Sequence, residues 1–129
     1  MKYFFIAAFL CALVSGCAKL ELVNSVNPIP GNDPPAKPSN PLPSDSSINQ
    51  NRFVTLRWEC TDPDAGDSLR YDIYFGSTNP PPLVADSIRI KSYDAGITSA
   101  NTLLFWKIRV KDKEGASAES PVWRFTTSN

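Results

Sequence analysis

An antiparallel β-sandwich of two sheets and about seven short strands is the fold class that this sequence predicts, on three observations. Apolar and polar residues alternate at period two in four separate runs. Clusters of turn-forming residues separate those runs, and beyond the first 16 residues no stretch holds a helical period. Pro, at 12, is twice as frequent as Gly, at 6, which favours extended segments and sheet edges over a helical bundle.

The chain opens on Met1-Lys2, a minimal positive start, and runs apolar from Tyr3 to Val14. Those 12 residues suit the core of a secretory signal and fall short of the roughly 20 needed to span a membrane. Leu13-Val14-Ser15-Gly16-Cys17 follows, with two small residues that leave a peptidase room to approach the backbone. This stretch resembles the lipobox of bacterial lipoproteins. The resemblance implies that Cys17 receives a thioether-linked diacylglycerol, that residues 1–16 are cut away, and that Cys17 becomes an acylated N-terminus. Two or three acyl chains, at about 0.8 kcal/mol per buried CH₂, make attachment to a membrane effectively permanent. Val14 stands where Leu is more usual, and Ala18 follows the cysteine where Asp would hold the chain in an inner membrane. By that resemblance the outer membrane is favoured, with the rest of the chain periplasmic or displayed at the surface.

Residues 17–35 lack periodicity and fill with Asn, Ser, Asp, Gly and Pro; seven of the 12 prolines fall between Pro28 and Pro43. Proline holds φ near the polyproline value, so this segment is expected to be an extended tether reaching on the order of 50 Å.

The domain is expected over residues 36–129. Val54, Leu56 and Trp58 alternate with Phe53, Thr55, Arg57 and Glu59, and then Tyr71, Ile73 and Phe75 with Asp72 and Tyr74. Leu104, Trp106, Ile108 and Val110 share a face opposite Phe105, Lys107, Arg109 and Lys111. Trp123 and Phe125 close the series against Arg124 and Thr126. Weaker strands are expected at Pro38–Pro43, Leu83–Ser87 and Ile88–Asp94. Each run has one apolar face, which is what two packed sheets require.

Four motifs resemble a fibronectin type III domain of the kind common in bacterial envelope and secreted proteins, over about 92 residues from Ala36 to Thr127. They are Pro38–Pro43 as the proline-bearing first strand, Val54–Trp58 with its core Trp, the acidic turn from Asp62 leading to Tyr71–Gly76, and the pair Phe105–Asp112 and Ser120–Thr127. In one place the chain departs from the family. The tyrosine whose hydroxyl usually ties down a corner before the sixth strand is replaced by Leu104, so that hydrogen bond must be absent or supplied elsewhere. Lys111-Asp112-Lys113-Glu114-Gly115 occupies the loop in which animal fibronectin carries Arg-Gly-Asp, so that adhesive function does not transfer.

Composition excludes several functions. The chain has 13 basic and 13 acidic residues, and removal of Lys2 with the leader leaves 12 against 13. A net charge near −1 gives no field for nucleic acid. Histidine is absent, which removes the commonest metal ligand and general base. There is no Gly-x-Ser-x-Gly, phosphate-cradling loop or Cys-x-x-Cys, and Cys60 would be the one thiol of the processed domain. A non-catalytic protein without cofactors is expected. It would be an envelope module for protein interaction or spacing or, alternatively, an accessory glycan-binding lipoprotein of a polysaccharide-uptake or degradation system.

Three sets of residues could carry a site. The first is Asp62, Asp64 and Asp67, with Glu59 just upstream, which offer closely spaced oxygens to a hard cation but lack the terminal Glu of an EF-hand loop. Asp, Pro and Gly are also what a plain turn needs. The second is an outward face bearing Tyr74, Phe105 and Arg109, joined by Lys107 and Arg124, able to stack a sugar ring or dock a protein. The third is Trp58, Trp106 and Trp123, whose spacing points them inward as packing.

Overall fold

The computed structural model describes residues 31–64, Gly66 and residues 68–129. Cys17 with its leader, most of the tether, and Asp67 of the acidic turn therefore lie outside the described residues. The compact unit over Asn32–Asn129 contains nine strands and, among the described residues, no helix. They are β1 (Ser39–Leu42), β2 (Ser47–Gln50), β3 (Phe53–Glu59), β4 (Arg70–Gly76), β5 (Leu83–Ile88), β6 (Ser92–Ile97), β7 (Leu103–Lys111), β8 (Ser117–Glu119) and β9 (Trp123–Thr127).

One sheet has the order β1-β3-β6 and the other β2-β9-β7-β4-β5, with β8 paired to β7. All pairings are antiparallel except β2 with β9. The period-two runs supply the four longest inner surfaces. In β3 every second residue is buried (Val54, Leu56, Trp58), and in β7 the same holds for Leu104, Trp106, Ile108 and Val110. Tyr71 and Ile73 from β4 and Trp123 and Phe125 from β9 complete the core. Its aromatics meet in pairs: Trp58 lies edge-on to Tyr71 at 5.3 Å, Trp106 tilts against Trp123 at 4.7 Å, and Phe75 stacks on Phe125 at 6.4 Å. Such pairs add about 0.5–1.5 kcal/mol each beyond the area they bury.

Two strands were not expected from the sequence, and one is displaced. β2 and β8 are four and three residues long and mostly polar, too short to show a period. The strand expected at Ile88–Asp94 instead runs Ser92–Ile97, because Ile88 still belongs to β5, where it faces Tyr71. β4 ends where Gly76 passes Pro82. A Cβ at Gly76 would come within 2.9 Å of the proline ring, and the Phe75 amide donates to the Pro82 carbonyl at 2.9 Å.

The corner between β6 and β7 is closed without a tyrosine. Leu104 is buried as a core residue, and the Thr127 side chain, 1% exposed, does the tying. Its hydroxyl donates to the Ser99 carbonyl at 2.7 Å and accepts the Thr102 amide at 2.9 Å. The tyrosine's hydrogen bond is thus replaced from the last strand.

The chain entering the domain is bound from Asn32 onward. Asn32 Nδ2 donates to Asp112 at 2.9 Å, the Asp33 amide to Asp64 at 2.7 Å, and the Ala36 amide to the Thr61 carbonyl at 2.9 Å, while Pro35 and Pro38 are buried.

Candidate functional site

The sheet register brings the sequence-predicted face together. On β4 the even-numbered residues point outward and on β7 the odd-numbered ones, so Asp72 stands opposite Arg109, Tyr74 opposite Lys107, and Gly76 opposite Phe105. β9 adds Arg124 opposite Phe105, and β8 adds Glu119 opposite Arg109. Tyr74, Phe105, Lys107 and Arg109 are half-buried and Arg124 is exposed, so all five reach solvent from one pleated surface.

The partners of these side chains limit what the face can do. Lys107 Nζ sits over the Tyr74 ring, 4.7 Å from its centroid, and pairs with Glu119 at 3.4 Å. One face of the Tyr74 ring is therefore covered by a cation and closed to stacking. Lys111 pairs with Asp72 at 3.0 Å, and Asp72 also accepts the Ser87 amide at 2.9 Å, which explains how a carboxylate on the outward side of β4 is 6% exposed. Arg109 Nη2 reaches Ser117 Oγ at 3.5 Å, a weak contact that leaves the guanidinium available.

The acidic turn is built as a turn. Asp62 Oδ1 accepts the Asp64 amide at 2.7 Å, and Asp64 Oδ2 accepts the Asp33 amide at 2.7 Å. Two of the oxygens that a cation would need thus already accept backbone amides, one within the turn and one from the entering chain. Among the described residues no group of three acidic, Cys or His side chains is placed to hold a metal. Glu59 points elsewhere, accepting Asn40 Nδ2 at 2.7 Å.

Cys60, the residue that follows β3, is 7% exposed, with Sγ 3.2 Å from the Ala36 carbonyl. Burial pushes its thiol above the ordinary range, against a smaller lowering by the hydrogen bond with Tyr71, and burial likewise raises the Tyr71 phenol. A protonated buried thiol is a poor nucleophile. The three Trp side chains are core, as their spacing predicts.

Sequence reasoning missed Asp112. It is 6% exposed at the start of the β7–β8 turn, where it accepts Asn32 Nδ2 and, at 2.8 Å, the Ala116 amide. Burial alone would raise its pKa, but hydrogen bonds from Asn32 and from the Ala116, Gly115 and Glu114 amides outweigh it and hold the carboxyl below its usual value. The sequence signal was Asp112 followed three residues on by Gly115, whose φ of 96° lets the turn close around the carboxylate.

No protein-family model matches the chain, and no curated protein does. Solved structures do. The fibronectin type III domain of human fibronectin type III domain containing protein 3 aligns at 22% identity with a TM-score of 0.51, over 76% of this chain and 90% of that one. The fold is a fibronectin type III-like sandwich. The α-L-rhamnosidase of Dictyoglumus thermophilum is similar at 15% identity and a TM-score of 0.50, and that of Streptomyces avermitilis at 18% and 0.49. This chain spans about a tenth of the length of those enzymes, over 75% and 74% of its own residues. At such identities the likeness concerns the fold, which hosts many unrelated functions.

Proposed function

We propose that this protein is a non-catalytic binding module of the cell envelope, held at a membrane by acyl chains on Cys17 and carrying its sandwich on a proline-rich tether. The observation that carries the binding role is the outer face of β4, β7 and β9, where Tyr74, Phe105, Lys107, Arg109 and Arg124 converge on a rigid sheet. The anchor is supported by Leu13-Val14-Ser15-Gly16-Cys17 after a 12-residue apolar run. A sandwich fold without histidine is suited to presenting a surface rather than running acid–base chemistry.

Between the two kinds of partner, protein and glycan, the geometry favours protein. Sugar stacking wants a free aromatic face, and Lys107 occupies one face of Tyr74. The test is a pull-down from the native envelope with the anchor intact, comparing wild type, Tyr74→Ala/Phe105→Ala and Cys17→Ser. Wild type should partition into detergent and capture a defined protein set, the double variant should partition but lose that set, and Cys17→Ser should keep its leader and take no lipid. Identical capture by wild type and the double variant would remove the face as the site. Normal processing and membrane attachment of Cys17→Ser would remove the anchor.

A further inference from the structure

Setting aside Lys2, Lys19 and Glu21, the domain carries 11 cations against 12 carboxylates, a net charge of −1. That charge is unevenly placed. Five of the cations, Arg70, Lys107, Arg109, Lys111 and Arg124, stand on the outward side of β4, β7 and β9, where only Asp72 and Glu119 oppose them. Those two carboxylates pair with Lys111 and Lys107. The Arg70, Arg109 and Arg124 side chains have no ion-pair partner among the described residues. At the margins, Asp45 accepts the Arg124 backbone amide at 3.0 Å, and Asp86 belongs to the edge strand β5.

The three free guanidiniums fall on three adjacent strands, in a diagonal across the sheet. Outward residues repeat about every 6.8 Å along a strand and strands lie about 4.8 Å apart, so the stripe runs on the order of 20 Å. The Tyr74–Lys107 pair lies between its ends, and Phe105 stands beside Arg124 at one of them. We propose that this stripe docks an acidic, carboxylate-bearing segment of a partner protein. The inference rests on the reading of this face as the binding surface and adds the chemistry of what it binds. Guanidinium forks match carboxylates bidentately, which a flexible ammonium does not. Tyr, Phe and Arg are the side chains enriched where proteins meet, and complementary charge sets register and speeds encounter. A pleated sheet surface lacks the concavity that buries most of a small ligand, so the occupant is a macromolecule.

The experiment passes the purified full chain, in mild detergent, over immobilised poly-L-glutamate at low salt, with immobilised polygalacturonate in parallel. A chain with no net positive charge is retained by a polyanion only if its cations are gathered on one side. Wild type should be held on poly-L-glutamate and released by about 0.2 M salt, where the screening length falls below about 8 Å. Arg109→Glu/Arg124→Glu should flow through, Arg109→Gln/Arg124→Gln should bind at least tenfold more weakly, and Lys37→Glu/Arg57→Glu, off this face, should bind at least tenfold more tightly than Arg109→Glu/Arg124→Glu, with thermal melts confirming that each is folded. Flow-through of wild type overturns the proposal, as does equal loss in the two charge-reversed pairs. Equal or stronger retention on polygalacturonate also overturns it. If poly-L-glutamate fails while envelope capture still depends on Tyr74 and Phe105, the acidic partner is wrong and the binding face stands.

Discussion

Thr127→Val tests how the corner is closed. The change keeps the shape and the β-branch and removes only the hydroxyl, which is 1% exposed and makes two short bonds, to the Ser99 carbonyl and from the Thr102 amide. Each net bond contributes about 1 kcal/mol, and leaving the Thr102 amide without its partner costs about 1–2 kcal/mol more, the lower end applying where water reaches it. The sum is about 3–4 kcal/mol, a large part of the 5–15 kcal/mol or so that holds a small domain together. In urea, with a slope of about 1.3 kcal/mol/M, the midpoint should fall by about 2.3–3 M with the slope unchanged. Thr127→Ser keeps the hydroxyl and loses one methyl, so it should cost only about 1 kcal/mol. Thr126→Val, on the outward side of the same strand, should stay within about 0.5 kcal/mol of wild type. If Thr127→Val is as mild as Thr126→Val, or if Thr127→Ser is as damaging as Thr127→Val, the hydroxyl does not tie the corner.

Trimming Trp58 to Ala should cost about 3–5 kcal/mol and leave the domain marginal, whereas Phe53→Ala, at a side chain 69% exposed on the opposite side of β3, should be mild; equal melting temperatures for the two would contradict the β3 register. The depressed pKa of Asp112 predicts acid sensitivity. Its contribution is fully present above the unfolded value near 3.8 and is lost as pH falls through the lower folded value, so Asp112→Asn should be less stable than wild type at neutral pH and the gap should close below about pH 4 in chemical denaturation. A gap that persists unchanged at pH 3 would assign the effect to packing rather than to charge.

The long strands were legible because each buries one face, and a period-two alternation sustained over five to nine residues marks a half-buried strand and little else. Leu104, Trp106, Ile108 and Val110 announced β7 for that reason. β2 and β8 left no such trace. Ser47–Gln50 pairs in parallel with β9 along its backbone while Ile48 faces solvent at 67% exposure, so pairing there is independent of apolar pattern. The face of Tyr74, Phe105 and Arg109 was legible as a set because alternation on β4 and β7 fixes which side chains share a side. Its internal pairings were not. Lys107 could have met Asp72, Glu119 or neither, and only the register of β7 against β4 and β8 decides that. Asp112 was hidden because its partner Asn32 lies 80 residues away.

Thr127 and Leu104 together show what a sandwich corner demands. The connection from β6 to β7 leaves the Thr102 amide and the Ser99 carbonyl facing the core side, where each needs a partner. A tyrosine on the incoming strand meets that need through a long ring, and this chain meets it through a short hydroxyl on the neighbouring strand. The substitution works because β9 runs antiparallel to β7 with Thr126 opposite Leu103, which carries Thr127 to the level of Thr102. It also frees position 104 for an aliphatic core residue, so the corner's polar duty and its packing duty fall to different side chains. What the fold requires is a buried donor–acceptor at that place, and a strand register able to deliver one is sufficient.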